Sequence, residues 1–254
     1  MNLQNRVALV TGAAHRVGKG IALALAREGA HIVLHYGRSE EAARRTQSEI
    51  EGLGVEAFPV SADLADPSQI EFLFAATQER FGRLDVLVNS AARFDRQPFD
   101  EITVEDWDRT MQVNLRAPFL CTQQAARLMR SVERPQDEPA AIVNIVDLAG
   151  VYAWRNFTQH GVSKAGLLHL TRITARVLAP TIRVNALILG PIMPTQTKGV
   201  DETWQRIVSS LPLKRAGGPE VVGQSVVFLA QNDWITGAAL DVDGGERLIG
   251  PYNY

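Results

Sequence analysis

The sequence predicts one doubly wound α/β domain, a central parallel sheet of about seven strands with helices on both faces. Short runs of Val, Ile, Leu and Ala recur along the chain, as expected of strands buried on both sides. Helical patterns separate them, which makes βαβ units, and right-handed crossovers then spread the helices over both faces. The alternation persists to the end, so a single domain over 1–254 is expected rather than two.

In order, Val7–Val10 reads as the first strand and 19–28 as the first helix. A second strand at 32–34 precedes a helix over 39–51, and a third at 57–60 precedes a helix over Pro67–Phe81. Residues 84–88 form the fourth strand. The pattern over 103–129 is helical throughout, and 131–139, polar with two prolines, is a surface loop. Strands at 141–146, 183–188 and 240–242 complete the sheet, with a long helix over 160–178. The stretch 191–218, rich in Pro, Gly and Thr, reads as a substrate lid.

Composition excludes several classes. With 46% hydrophobic and 21% charged residues the chain fills a large core and is not disordered. The 26 basic and 28 acidic residues leave a formal charge of −2, without a long run of one sign, so nucleic acid is not an expected partner. The single cysteine, Cys121, allows no internal disulfide and fits a reducing, cytoplasmic setting. Beside Phe119 and Leu120 in a helical pattern, it reads as a buried small residue. The first six residues lack the basic start and apolar middle of a signal peptide. The uncharged stretch 184–197 is broken by Gly190, Pro191 and Pro194, so no membrane span is expected. No metal site is expected either.

The first strand runs into Thr11-Gly12-Ala13-Ala14-His15-Arg16-Val17-Gly18. A glycine-rich turn between the first strand and first helix of a βαβ unit is where a dinucleotide pyrophosphate binds. Gly12 permits the tight turn and Gly18 a close backbone approach. The segment resembles the Thr-Gly-x-x-x-Gly-x-Gly fingerprint of the short-chain dehydrogenases/reductases, a Rossmann-type family, with Arg16 where the middle glycine is usual. Arginine there resembles the pteridine reductase branch, as does His35-Tyr36-Gly37-Arg38-Ser39. The likeness continues through Pro212-Leu213-Lys214-Arg215, Pro219-Glu220, Ile235-Thr236-Gly237 and Val242-Asp243-Gly244-Gly245. It implies that His15, Arg16 and Val17 join the glycines at the cofactor, with Arg16 near both pyrophosphate and substrate.

Enzymes of this architecture that use NAD place Asp or Glu at the end of the second strand. No acid occupies 35–39; Arg38 and Ser39 instead offer a cation and a hydroxyl to a 2′-phosphate, which makes NADPH the expected cofactor. The resemblance adds Tyr36 beside them, Asp63-Leu64 at the adenine, Asn89-Ser90-Ala91 after the fourth strand, and Gly190 with Ile192 on the nicotinamide side.

Family members carry an Asn, a Ser, a Tyr and a Lys at the chemical centre. Asn114 matches the Asn. Pro118, four residues on, removes a helical donor and crowds the Asn114 carbonyl, which suits a water-relay site. Asp147 stands at the Ser position, again as in pteridine reductases, at the C-terminal edge of a strand. Lys164 matches the Lys. Four residues before it, where the Tyr is expected, stands His160; Tyr152 lies eight residues too early to replace it. Positions four apart share a helix face, and imidazolium is a competent acid near neutral pH, so His160 is the expected proton donor. Phe94 falls where the branch stacks an aromatic ring on a flat substrate, with Arg16 and Asp147 as further substrate contacts; Trp154, Arg155 and Phe157 line the same mouth. The leading expectation is an NADPH-dependent reductase of a small-molecule carbonyl or imine, with a pterin-like ring as one form. The alternative is a degenerate member that binds NADP(H) as a sensor or partner subunit. The resemblance also implies a homotetramer built on the helices over 103–129 and 160–178.

Overall fold

Seven strands form one sheet in the order β3-β2-β1-β4-β5-β6-β7, every neighbouring pair parallel. They are β1 (Val7–Val10), β2 (His31–Tyr36), β3 (Ala57–Ser61), β4 (Val86–Asn89), β5 (Ala140–Asp147), β6 (Ile182–Leu189) and β7 (Ala239–Val242). The computed structural model describes residues 1–135, 138–194 and 200–250. β5 and β6 are buried along their length, which is why they read as unbroken apolar runs; only Asp147, at the end of β5, reaches solvent.

Helices cover both faces. α1 (Arg16–Arg27), α2 (Glu40–Glu51) and the later helix over Pro219–Gln231 bury one core layer. α3 (Pro67–Phe81) and the helix over Ala117–Arg130 bury the other, around Leu73, Phe74, Cys121 and Met129. Asp66 caps α3 through the Ser68 N–H, and Gly82 ends it in the left-handed region at φ 66°.

Three expectations change. The run over 103–129 is not one helix: α4 (Val104–Met111) passes through a π turn at Gln112–Arg116 into α5 (Ala117–Arg130). Pro118 has no N–H to give the Asn114 carbonyl, and the Ala117 N–H bonds Gln112 O, one residue further back than in an α-helix. α6 starts at Thr158, two residues before the expected start, and runs to Leu178. The proposed lid is not all loop. Residues 195–199 of it lie outside the described residues, and α7 (Glu202–Ser210) occupies its second half, capped by Asp201. α8 (Pro219–Gln231) and the short α9 (Glu246–Ile249) follow. α8 lies so close to α1 that a Cβ on Gly20 would stand 2.5 Å from Pro219 Cβ, and one on Gly223 2.6 Å from Ala24 Cβ.

Within 131–139, Arg134 turns inward and holds the buried Asp85 and the Leu84 carbonyl. With Arg83 on the same carboxylate and the Val7 N–H at 2.9 Å, it offsets burial and keeps Asp85 below the ordinary carboxylate range. This cluster fixes the N-terminal end of β4. Among the described residues no helix is long and apolar enough to cross a membrane.

Candidate active site

Parallel strands deliver the loops after β1, β4, β5 and β6 to one edge of the sheet. The strand order reverses between β1 and β4, and in such sheets the ligand crevice opens outside the carboxyl ends at that point. Thr11 ties the two loops together: its Oγ1 accepts from the Ser90 N–H (2.9 Å) and the Ala91 N–H (3.0 Å). Asn89, behind them, donates to Asn144 at 2.8 Å and so braces β4 against β5 rather than facing the crevice.

The glycine turn is as tight as its sequence demands. Gly12 has φ 67°, and a Cβ on Gly18 would run into the Gly12 carbonyl. His15, just before α1, makes no side-chain cap, which leaves the helix N-terminus open to an anion. Val17 packs on the core. Arg16, at φ 55°, reaches across to donate to the Pro194 carbonyl at 2.8 Å.

One residue that carries this loop was not among the expected site residues. His35, buried in β2, accepts the Gly12 N–H at Nδ1 (3.0 Å), so its Nε2 carries the proton and donates to Ala62 O (3.0 Å). Burial holds its pKa below the usual imidazole value, against the Ala62 bond and nearby Asp63. A polar side chain inside an apolar strand was the available signal. Beyond it, Tyr36 packs on the core, Arg38 is exposed without a side-chain partner among the described residues, and Ser39 stands just before α2 with its hydroxyl uncommitted to the helix. Asp63 Oδ1 accepts the Ala65 N–H, while Leu64 is buried. Gly190 is pressed against Asp243, where a Cβ would stand 2.7 Å from its Cα, and Ile192 is buried.

The chemical centre is a closed hydrogen-bond chain. The Arg93 N–H donates to Asn114 Oδ1 (2.8 Å), which orients that amide. Its two protons go to Arg93 O (3.0 Å) and Ser163 Oγ (3.1 Å). Ser163 gives its own proton to the His160 carbonyl. His160 Nδ1, 3.0 Å from the same Arg93 carbonyl, is therefore a donor. The other ring nitrogen, Nε2, lies 2.7 Å from Asp147 Oδ2. A bare imidazole lone pair does not face a carboxylate at that distance, so a proton lies between them.

Asp147 Oδ1 also accepts the Ala149 N–H. Burial pushes Asp147 upward, but the His160 bond and the charge of Lys164 outweigh it and hold its pKa below the ordinary value. Lys164 is buried one turn beyond His160 and donates to Ile145 O (2.8 Å). Burial lowers its pKa, and Asp147 opposes that shift.

The His160 ring sits behind Phe94, whose centroid is 4.8 Å away edge-on, and Phe94 packs on Phe157 at 4.7 Å. The His160 side chain is 1% exposed and that of Asp147 20%. Both nitrogens of His160 are engaged within the protein, and Asp147 is the more exposed member of the pair. Tyr152 takes no part, since its hydroxyl donates to Arg247 O at 2.9 Å. Among the described residues no group of three His, Cys, Asp or Glu side chains is placed to share a metal ion.

A family model described as enoyl-(acyl carrier protein) reductase matches residues 12–246. The chain belongs to the short-chain dehydrogenase/reductase family. A short-chain relative, the 3-oxoacyl-[acyl-carrier-protein] reductase of Synechocystis sp., is 35% identical over 247 residues, covering 96% of this chain and 97% of that protein. Two solved structures superpose closely. A blue fluorescent protein from a metagenomic library, in complex with NADPH, has TM-score 0.87 and 34% identity over 96% of this chain and 99% of its own. FolM alternative dihydrofolate reductase 1 from Brucella canis, complexed with NADP, has TM-score 0.87 and 33% identity over 97% of this chain and 96% of its own.

Proposed function

We propose that this short-chain enzyme is an NADPH-dependent reductase of a flat, pterin-like carbonyl or imine, in which Asp147 and His160 together replace the family's tyrosine as proton source. The observation that carries the reading is the 2.7 Å contact between His160 Nε2 and Asp147 Oδ2 beside the buried Lys164.

The residues present suit an NADP(H) dinucleotide. The missing Cβ of Gly18 leaves α1 an open N-terminus for a pyrophosphate, with Gly12 shaping the turn and Arg16 beside it. Arg38 and Ser39 are free to take a 2′-phosphate, and Asp63, Leu64, Ser90 and Ala91 follow along the strand ends. Lys164 spends one of three donors on Ile145 O and keeps two for the ribose on the nicotinamide side, next to Gly190 and Ile192. When bound, NADPH supplies the hydride.

The chain supplies the proton and the geometry. His160 Nε2 gives its proton to Asp147 Oδ2, and the carboxyl group relays it to the substrate heteroatom, leaving His160 neutral. Asn114 and the Arg93 carbonyl keep the imidazole in the orientation that allows this. Phe94 offers a ring for the planar substrate to pack on. The segment that carries α7 is assigned as the lid over it. We also assign the enzyme to the cytoplasm, since a single cysteine, without any internal disulfide, fits a reducing setting. Its assembly is a homotetramer.

One observation favours an NADP(H)-binding partner without turnover: both ring nitrogens of His160 are already committed within the protein. The test is NADPH oxidation against pterins, quinones and ketones, with Asp147→Asn and His160→Ala. We expect each variant to lose roughly 10²- to 10⁴-fold in rate while calorimetric NADPH binding persists. Tight NADPH binding with no turnover of any substrate selects the non-catalytic reading.

A further inference from the structure

We propose that Gln97 is a positioning residue for the proton-donating centre: it ties the loop that carries Arg93 to the first turn of α6, so that the Arg93 carbonyl stays on His160 Nδ1. The inference rests on the reading of Asp147 and His160 as the proton source and deepens it. The loop needs such a tie. Residues 90–98 form neither helix nor strand, so no backbone ladder holds them. Among the described residues, hydrogen bonds fasten 92–97 to the rest of the protein at two residues, Arg93 and Gln97. Arg93 serves the chemistry, since its carbonyl accepts from Asn114 Nδ2 and from His160 Nδ1, both at 3.0 Å. One anchor fixes a point and leaves the chain free to swing about it. A second, at Gln97, fixes the direction.

Gln97 uses its backbone donor and its whole side-chain amide. Its N–H donates to Asn156 O at 2.8 Å. Its Nε2 gives one proton to Glu101 O and the other to Asp106 Oδ2, both at 2.8 Å. Its Oε1 accepts from Gln159 Nε2 at 3.3 Å. The amide fits in this orientation alone, because a carbonyl and an ionised carboxylate only accept. Asp106 is itself fixed by Thr103 in the capping box of α4, and the Gln97 bond is the first cause that holds its pKa below the usual carboxylate range. Gln97 thus joins the short 3₁₀ turn Phe99–Glu101, the start of α4 and the start of α6.

Two features on the α6 side fit this role. Gln159 is buried and directly precedes His160, so the tie ends one residue from the imidazole. Asn156, whose carbonyl receives the Gln97 N–H, keeps φ at 65°, in the left-handed region that few residues other than glycine adopt. Such a conformation persists where its surroundings over-determine it. Without the Gln97 side chain, Arg93 and Phe94 shift against α6. The His160 Nδ1 proton then loses its acceptor, and Nε2 is no longer aimed at Asp147 Oδ2. A misplacement of about 1 Å, caused away from the reacting atoms, can cost on the order of 10²-fold in rate.

The test is Gln97→Met, which keeps the length of the side chain and loses its three bonds, with dihydrobiopterin as substrate. We expect kcat to fall roughly 10- to 100-fold and the solvent deuterium isotope effect on kcat to rise, because the proton now moves in the slower step. Kd for NADPH should stay within about twofold, since Gln97 bonds to none of the loops assigned to the dinucleotide. Thr103→Ala opens the capping box of α4 and leaves the bonds from Gln97 to Asn156 and Gln159 in place. It is the stability control and should lower Tm without changing kcat or the isotope effect. An unchanged kcat or isotope effect in Gln97→Met, or an equal loss in both variants, would overturn the role of Gln97 while leaving the reductase reading intact. If the wild type does not reduce dihydrobiopterin, the pterin-like reading fails, and proton NMR still tests the tie. The downfield Nδ1 proton resonance of His160, identified by its loss in His160→Ala, should be present in the wild type and broadened by exchange in Gln97→Met. A resonance alike in both proteins, or absent from both, would refute it.

Discussion

Two buried histidines are oriented by the carbonyls they face. His160 gives its Nδ1 proton to Arg93 O and turns Nε2 to a carboxylate; His35 gives its Nε2 proton to Ala62 O and keeps Nδ1 as an acceptor for Gly12. The pH consequence for His35 follows from the sign of its shift. Its folded pKa lies below the unfolded value near 6.5, so the unfolded chain binds the extra proton first. The stabilisation is complete above about pH 6.5 and is lost as pH falls through the folded pKa. His35→Leu, which strands the Gly12 N–H and the Ala62 carbonyl, should lower Tm by roughly 2–8 °C at pH 7.5. Its Tm should also fall less than the wild type's between pH 7.5 and 5. Melting curves that fall in parallel would exclude His35 as the titrating group. At this scale the sequence was legible where a motif named the residue, as with Lys164 and Asp147. It was silent on Arg93, which acts through its backbone N–H and carbonyl and so leaves no mark in residue type.

The phosphate loop and α1 work as one element because glycine removes the atoms that would separate them. A Cβ at Gly18 meets the Gly12 carbonyl, which is itself fixed in the left-handed region and cannot retreat without losing the bond to His35. Gly18→Ala should therefore lower Tm and raise Kd for NADPH tenfold or more by calorimetry, a loss of about 1.4 kcal/mol. Gly37→Ala, where a Cβ meets nothing within 4 Å, is the control and should leave Tm unchanged. Equal behaviour of the two variants would refute the cradle. Strands such as β5 and β6 were readable because burial on both faces demands unbroken apolar runs. The π turn was half readable: Pro118 announced a lost donor, but whether the helix would end or widen depended on packing. α7 and α8 were hidden for different reasons. α7 lies within a stretch whose prolines and glycines read as loop, and α8 contains Val221-Val222 and Val226-Val227-Phe228, β-branched and aromatic residues that resemble a strand.

At the scale of the molecule, the proposed tetramer rests on two apolar surfaces that are open among the described residues. The first is a groove between α4, α5 and α6 lined by Met111, Leu115, Phe119, Leu170 and Ile173, with Val177 exposed further along α6. The second follows the edge of the sheet, where among the described residues β7 pairs with β6 alone and where Phe228 on α8 and Trp234 beyond it are exposed, Trp234 to 94%. Apolar side chains gathered like this on a monomer surface mark contact sites. Two different self-complementary faces, each closed by its own two-fold axis, generate a tetramer of dihedral symmetry and stop there. Light scattering at micromolar concentration should give four times the mass of the chain. Ile173→Glu buries a charge in one interface and Trp234→Glu in the other, so each should yield a dimer, and the double variant a monomer. The dimer that keeps the α5–α6 contact should be the more active, because α6 carries His160 and Lys164 and the π turn that joins α4 to α5 carries Asn114, so helices held by that contact hold the chemical centre. A wild-type monomer, or two single variants that both remain tetrameric, would rule the arrangement out.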